Sequence, residues 1–344
     1  MVNAICNEIE LRHNYLNEKT LQSIYFGGGT PSLLNNEHLL QIFKTIEKYF
    51  IIAKDAEITL EANPDDLTED KLILLKQTPI NRLSIGVQSF FDADLKWMNR
   101  AHNANQAKKS IAFASKIGFD NITIDLIYGT PGLTNINWQK NIETAISLNV
   151  NHISSYALTV EPKTALATFI EKGTYSNTND EQAAEQFDIL TNTLNENGFI
   201  HYEISNFGKA NFIAKHNSNY WKGKQYLGIG PSAHSFDNKS RSWNVANNVK
   251  YMEAIKNKLP SITVEKLSEN NLINEYIMTG LRTIWGCDLN FIELEFGKNE
   301  KQRIIKLANK YILTEMLTIN NEVLITTAKG KFFADGIASD LFKI

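Results

Sequence analysis

The sequence predicts an α/β fold, a β/α barrel or a doubly wound parallel sheet, followed by a smaller helical module. Three observations carry that expectation. Short β-branched or aromatic runs alternate with longer helical patterns over the first two thirds of the chain, the order of right-handed βαβ units. Polar or Gly-rich groups recur directly after those runs, where parallel α/β folds assemble ligand sites. Toward the C-terminus the pattern changes to helix, hairpin, helix. With 344 residues, 43% of them hydrophobic, the chain has room for a barrel of up to about 250 residues and an appendage.

The elements are expected in this order. Asn3 to Leu16 reads as a helix, with Ile5, Ile9 and Leu16 toward one face. No strand precedes it, although in a βα repeat each helix covers the strand before it. Strands follow at Ser23 to Phe26, Glu57 to Leu60, Arg82 to Val87, Asn121 to Leu126, His152 to Leu158 and His201 to Ile204. Between them, Leu39, Phe43, Ile46 and Phe50 have helical spacing, as do Ile111, Ala114 and Ile117, with Gly118 in the C′ position. Ser205 to Asn244, rich in Gly, Asn, Ser and aromatics, reads as a long functional connection. Helices near Val249 to Lys258 and Asn271 to Arg282 come next. Then come a helix at Lys301 to Tyr311, a hairpin at Met316 to Thr327 turning at Asn320-Asn321, and a last helix at Lys329 to Leu341. That order suits a winged-helix-like module and places a domain boundary near residue 245, dividing the chain into 1–245 and 246–344.

Composition narrows the function. Thirty-five basic against 38 acidic residues, a net charge of −3, give no field for extensive nucleic-acid or anionic-membrane binding. No run of about 18 apolar residues and no charged-then-apolar leader occurs, so neither a membrane span nor a signal peptide is expected, and a cytoplasmic location is. Cys6 and Cys287 are the only cysteines, too few for a disulfide framework or a clustered metal site.

The residues after the strands carry the chemistry. Gly27-Gly28-Gly29 lets backbone approach a ligand and offers N–H groups to a carboxylate or phosphate. It is not a P-loop, because no Gly-Lys-Ser/Thr follows, and a tight turn needing positive φ is the bland alternative. Glu61 and Asp125 directly follow apolar strand residues, where an unpaired carboxylate costs several kcal/mol, so each is expected to be paired or functional. Glu61 suits an amine or ribose hydroxyls; otherwise it forms a structural ion pair with Arg82 or Arg100. Gln88 can bond a ligand or cap its own strand. Arg100-Ala101-His102 falls at the end of an expected helix, where positive charge suits the macrodipole. His216, flanked by Tyr220 and Trp221, can ligate haem iron or simply pack in a loop. His13 and His38 read as helix-surface residues, and His152 and His201 open strands. No His-x-x-x-His pair or Gly-x-Ser-x-Gly elbow supports a zinc or serine hydrolase.

Taken in order, Gly-Gly-Gly-Thr-Pro, Glu-Ala-Asn-Pro, Gly-Val-Gln-Ser-Phe, Arg-Ala-His, Asp-Leu-Ile-Tyr-Gly-Thr-Pro-Gly, Tyr-Ala-Leu-Thr-Val-Glu-Pro, His-Asn-x-x-Tyr-Trp and Gly-Ile-Gly-Pro-Ser-Ala-His-Ser resemble the radical-SAM family of oxygen-independent coproporphyrinogen III oxidase-like proteins. The resemblance covers nearly the whole chain. It implies a partial (β/α)6 TIM-like barrel, here lacking its first strand, and a C-terminal helical, winged-helix-like domain. It implies S-adenosylmethionine contacts at Gly28, Gly29, Thr30, Glu61, Gln88, Arg100 and Asp125, with Ala157 and His234 as further contacts near the site. Glu61 to Pro64 and His216 to Trp221 favour the haem-chaperone branch, with His216 as a haem contact. That branch implies haem as ligand, respiratory apoproteins as recipients, and a homodimer as an allowed state. The alternatives are an oxidase that decarboxylates coproporphyrinogen III, and a cluster-free barrel acting as a binding protein.

One departure stands out. The family holds a [4Fe-4S] cluster on a Cys-x3-Cys-x2-Cys loop after its first strand, and three thiolates are the minimum for that arrangement. Neither Cys6 nor Cys287 can substitute for it. The expectation is that Met1 is an internal methionine and that a leading strand plus loop, on the order of 30 residues, precedes it in the gene.

Overall fold

Runs of alternating Ile, Leu and Val bounded by helices form the strands of the main sheet. The computed structural model describes all of residues 1–344. Its strands are β1 (Thr20–Phe26), β2 (Ile51–Ala62), β3 (Arg82–Gln88), β4 (Asn121–Tyr128), β5 (His152–Ala157), β6 (Ile200–Glu203) and β7 (Asn206–Gly208), in the order β1-β2-β3-β4-β5-β7-β6. β2, β3, β4 and β5 are parallel neighbours, with Glu61 opposite Ser84 and Asp125 opposite Ser154. The result is the expected α/β fold with a curled, parallel half-barrel sheet. One detail differs. β7 lies antiparallel between β5 and β6, so the sixth expected strand pairs with a return strand of three residues, too short to leave a periodic signal.

The chain packs as two compact units: residues 25–34 with 57–214, and residues 1–24 and 35–56 with 215–344. In the first, Leu83, Ile85, Ile124, Leu126 and Ile153 are fully buried strand residues. Helices cover them. The helix Ala104–Lys116 starts on an Asn103/Gln106 capping box and ends at Gly118 with φ +91°, where Phe119 N–H donates to Ala114 O (3.0 Å) and Gly118 N–H to Ser115 O (3.0 Å). The helix Asn135–Ser147 buries Trp138, Ile142 and Ala145, and Asp180–Glu196 buries Phe187, Leu190 and Leu194. A polar layer crosses this core. Arg82 Nε lies 3.8 Å from Glu57, and His152 lies 2.5 Å from Thr123 Oγ1 and 2.8 Å from Tyr202 Oη. Burial first, then the Arg82 charge, holds the His152 imidazole neutral.

The second unit begins with the predicted N-terminal helix, observed at Val2–Arg12, and the helix Asn36–Tyr49, whose Leu39, Ile42, Phe43 and Ile46 are buried. The stretch expected as an irregular connection is more regular. It contains the helix Lys215–Trp221 and the strands β8 (His234–Phe236) and β9 (Ser240–Asn244); β9 is the central strand of a small sheet, pairing antiparallel with β8 on one side and with β10 (Ile262–Lys266) on the other. Its Asn and Ser content hid strands of three to five residues that long-range pairing stabilises. The C-terminal region has its own core of Ile273, Ile277, Leu281, Leu289, Ile292, Ile304, Leu317, Leu324 and Ile337. β11 (Cys287–Asp288), β12 (Leu317–Asn320) and β13 (Val323–Thr326) form its small sheet. The hairpin turns on Asn321 and Glu322, φ +50° and +62°, one residue later than expected. Two positive φ values in a two-residue loop fit the twist of the flanking strands. The expected last helix is two, Ala328–Lys331 and Ala334–Asp340. No helix is long and apolar enough to cross a membrane.

Candidate functional site

Parallel strands direct the side chains at their C-terminal ends toward one edge of the sheet, and here four successive ends meet. A polar cavity of about 180 Å³ is lined by Gly29 and Thr30 after β1, Glu61 in β2, Gln88 in β3, Asp125 in β4, and Arg100. Six residues expected from sequence therefore share one cavity. Its size is below the roughly 300 Å³ of a whole small-molecule pocket, room for one polar end of such a molecule.

Each polar group is held. Glu61 Oε1 accepts from Tyr25 Oη (2.6 Å), and Oε2 accepts from the backbone N–H of Gly28 (3.2 Å). Gly28 and Gly29 have φ of +75° and +70° with open space where a Cβ would point, so conformation and not crowding requires glycine there. Gln88 reaches φ +69° without being glycine, beside a register shift in the β3–β4 ladder. Strain of about 1–3 kcal/mol at a strand end is a common mark of a functional position. Arg100 donates to Asn63 Oδ1 (2.7 Å) and to Gly86 O (3.4 Å). It does not end a helix as expected. The helix stops at Trp97 and a turn carries Arg100 into the cavity, while His102 is buried with Nε2 donating to Val87 O (3.0 Å).

Asp125 differs electrically from Glu61. Burial, then the Glu61 charge, pushes its carboxyl from 3.8 up to about 7, against the pull of Arg82, Ser154 and Arg100. The folded chain therefore keeps a proton that the unfolded chain releases above about pH 4, and stability contributed by that proton is lost as pH rises toward 7. We expect Asp125→Asn to remove on the order of 3 kcal/mol of this pH dependence, measured as the difference in urea-unfolding free energy between pH 5 and pH 8 for variant and wild type. Equal slopes would contradict the raised value.

Other expected residues lie outside this cavity. Ala157 ends β5 and is exposed, and it is not among the lining residues. His234 opens β8 in the other compact unit, exposed and stacked on Trp243 at 5.7 Å between ring centroids. His216 lies in the helix Lys215–Trp221. Its Nδ1 is 3.1 Å from Ser23 Oγ, its ring is edge-on to Tyr220 at 5.2 Å, and Tyr220 is 42% exposed. Trp221 lies under the Arg282 guanidinium at 5.2 Å. Sequence reasoning passed over Ser84 and Gly86, which also line the cavity. Ser84 carried a signal, being a lone polar residue in the apolar run Leu83-Ser84-Ile85. Tyr25 carried none.

The thiols do not fit an iron–sulfur cluster. Cys6 and Cys287 are free and buried, the Cys287 thiol is pushed up to about 12 by burial, and among the described residues no three His, Cys, Asp or Glu side chains are grouped to hold a metal.

Comparison with known proteins agrees with this architecture. Residues 7–145 match the Radical SAM superfamily and residues 267–333 the HemN C-terminal domain. "Heme chaperone HemW" of Bacillus subtilis is 37% identical over 281 residues, 81% of this chain and 74% of that one. "Heme chaperone HemW" of Mycobacterium tuberculosis is 31% identical over 339 residues, 98% and 85% of the two chains. The solved coproporphyrinogen III oxidase (HemN) of Escherichia coli superposes with a TM-score of 0.81 over 99% of this chain and 82% of its own, at 22% identity. That likeness is one of fold.

Proposed function

The chain belongs to the haem chaperone HemW family of radical-SAM proteins, and from that membership we propose that it binds haem and S-adenosylmethionine in the cytoplasm and hands the haem to respiratory apoproteins. The observation that carries the second ligand is the cavity at the strand ends. Glu61 and Asp125 offer oxygens to an ammonium group or ribose hydroxyls, Arg100 offers a guanidinium to a carboxylate, and Gly29 and Thr30 line the cavity; Gly28 is not a lining residue, but its amide holds Glu61. S-adenosylmethionine supplies a sulfonium and an amino-acid end to such a site. Gln88 completes the proposed set at the cavity; Ala157 and His234 are proposed as contacts on family resemblance alone, and neither lines the cavity.

His216 is the proposed haem contact. The Ser23 hydroxyl fixes the rotation of its ring, as second groups do for metal-binding imidazoles, and Tyr220 offers an aromatic face to a flat macrocycle. Residues 1–245 form the ligand-binding domain of this proposal and 246–344 the helical domain. The family's cluster has no ligand set among this chain's thiols, so no radical step is assigned to it. The experiment is a haem titration of the chain followed in the Soret region. Stoichiometric haem uptake supports the chaperone, and an unchanged Soret spectrum removes the proposal.

A further inference from the structure

The Glu61 carboxylate has two oxygens and two fixed donors, one on each. Tyr25, at the end of β1, donates its hydroxyl to Oε1 at 2.6 Å, and the Gly28 amide donates to Oε2 at 3.2 Å. The chain between these donors is shaped to admit the tyrosine. A Cβ on Gly27 would sit 2.5 Å from the Tyr25 ring, closer than real Cβ contacts come, and a tight 3.0 Å from Glu61 Oε1. The absence of a side chain at 27 thus lets the ring lie under the loop and reach the carboxylate.

We propose that Tyr25 is a positioning residue for the strand-end cavity, locking Glu61 in one rotamer with its remaining acceptor sites directed at the ligand. This rests on the reading of the cavity as an S-adenosylmethionine site. An ionised carboxylate has about four acceptor sites, and Tyr25 and Gly28 occupy two of them. Left alone, Glu61 would sample several rotamers and lose that freedom only on binding, which costs affinity. The tyrosine removes that cost beforehand. Burial and the neighbouring Glu61 and Asp125 charges hold the Tyr25 hydroxyl protonated, so it remains a donor to Glu61 through the working pH range. The Tyr25 hydroxyl donates to Glu61 Oε1, so the effect on the ligand is expected to run through Glu61.

The test is a double-mutant cycle on the full chain, with S-adenosylmethionine as the titrant in calorimetry. Tyr25→Phe keeps the ring and removes only the hydroxyl. It is expected to weaken binding about tenfold, the scale of one hydrogen bond to a charged group. Glu61→Ala, which leaves the hydroxyl no acceptor, is expected to weaken binding at least as much, and Tyr25→Phe in the Glu61→Ala background to add nothing further. A merely structural role for Tyr25 predicts additive losses in the cycle. Additivity, or unchanged binding by Tyr25→Phe, overturns the inference while leaving the cavity reading intact. Wild-type protein that binds no S-adenosylmethionine, or Glu61→Ala protein that binds like wild type, overturns the cavity reading. A crystal structure of Tyr25→Phe decides the positioning role independently of any ligand. Glu61 is expected to leave its rotamer or spread over several, and an unmoved, fully ordered Glu61 overturns the inference.

Discussion

Glu8→Ala is expected to destabilise the protein by roughly 3–5 kcal/mol, the cost of breaking a buried ion pair on one side. Glu8 is fully buried in the N-terminal helix and has no unused oxygen. Oε1 accepts from Arg12 (3.0 Å) and Asn244 (2.7 Å), and Oε2 accepts from the Gly230 amide (2.8 Å) and Tyr251 Oη (2.6 Å). Arg12 in turn donates to Gly228 O (3.1 Å) and Ser235 Oγ (3.1 Å). The pair thus pins both glycines of the Gly-Ile-Gly-Pro-Ser-Ala-His segment. Truncating Glu8 leaves the Arg12 charge buried with fewer acceptors, and orphans an amide and a hydroxyl. Urea denaturation checks this. Glu8→Gln, which keeps the shape and part of the bonding, is expected to lose less than Glu8→Ala, and equal losses would argue against a charge effect.

His216→Ala is expected to abolish the axial-ligand signature of bound haem in the Soret spectrum and to weaken haem binding by at least about tenfold. The surrounding helix should persist, since His216 is only partly buried and Ser218 is the helix's buried residue. Ser23→Ala provides the graded control. Losing the hydroxyl beside Nδ1 removes one restraint on the ring and should weaken binding less than removing the imidazole. A spectrum unchanged in His216→Ala would take the haem role away from this residue.

The cavity was legible because its logic is local. A Gly-rich turn, a carboxylate and an amide each follow an apolar run, and parallel α/β topology brings such positions together wherever they lie in sequence. Glu61, Gln88 and Asp125 were found on that ground. Arg100 could be placed in the cavity only through family resemblance, because a basic residue near an expected helix end has a sufficient local explanation. What the sequence hid depends on partners far away. Glu8 meets Gly230, Asn244 and Tyr251 more than 220 positions on, and nothing in Asn7-Glu8-Ile9 announces a buried carboxylate. Tyr25 looks like any aromatic strand residue until Glu61 is set beside it. β7 and β8 hold three residues each, below the length at which alternation is readable.

The haem-chaperone account is tested most directly by hand-over. Protein loaded with one equivalent of haem is mixed with an apo-form respiratory haem protein, and the two are separated and their Soret spectra recorded. The account predicts that haem leaves the wild-type chain for the acceptor, and that His216→Ala, poorly loaded, delivers little. Haem that stays on the wild-type protein, or that reaches the acceptor no faster than free haem does, would contradict it.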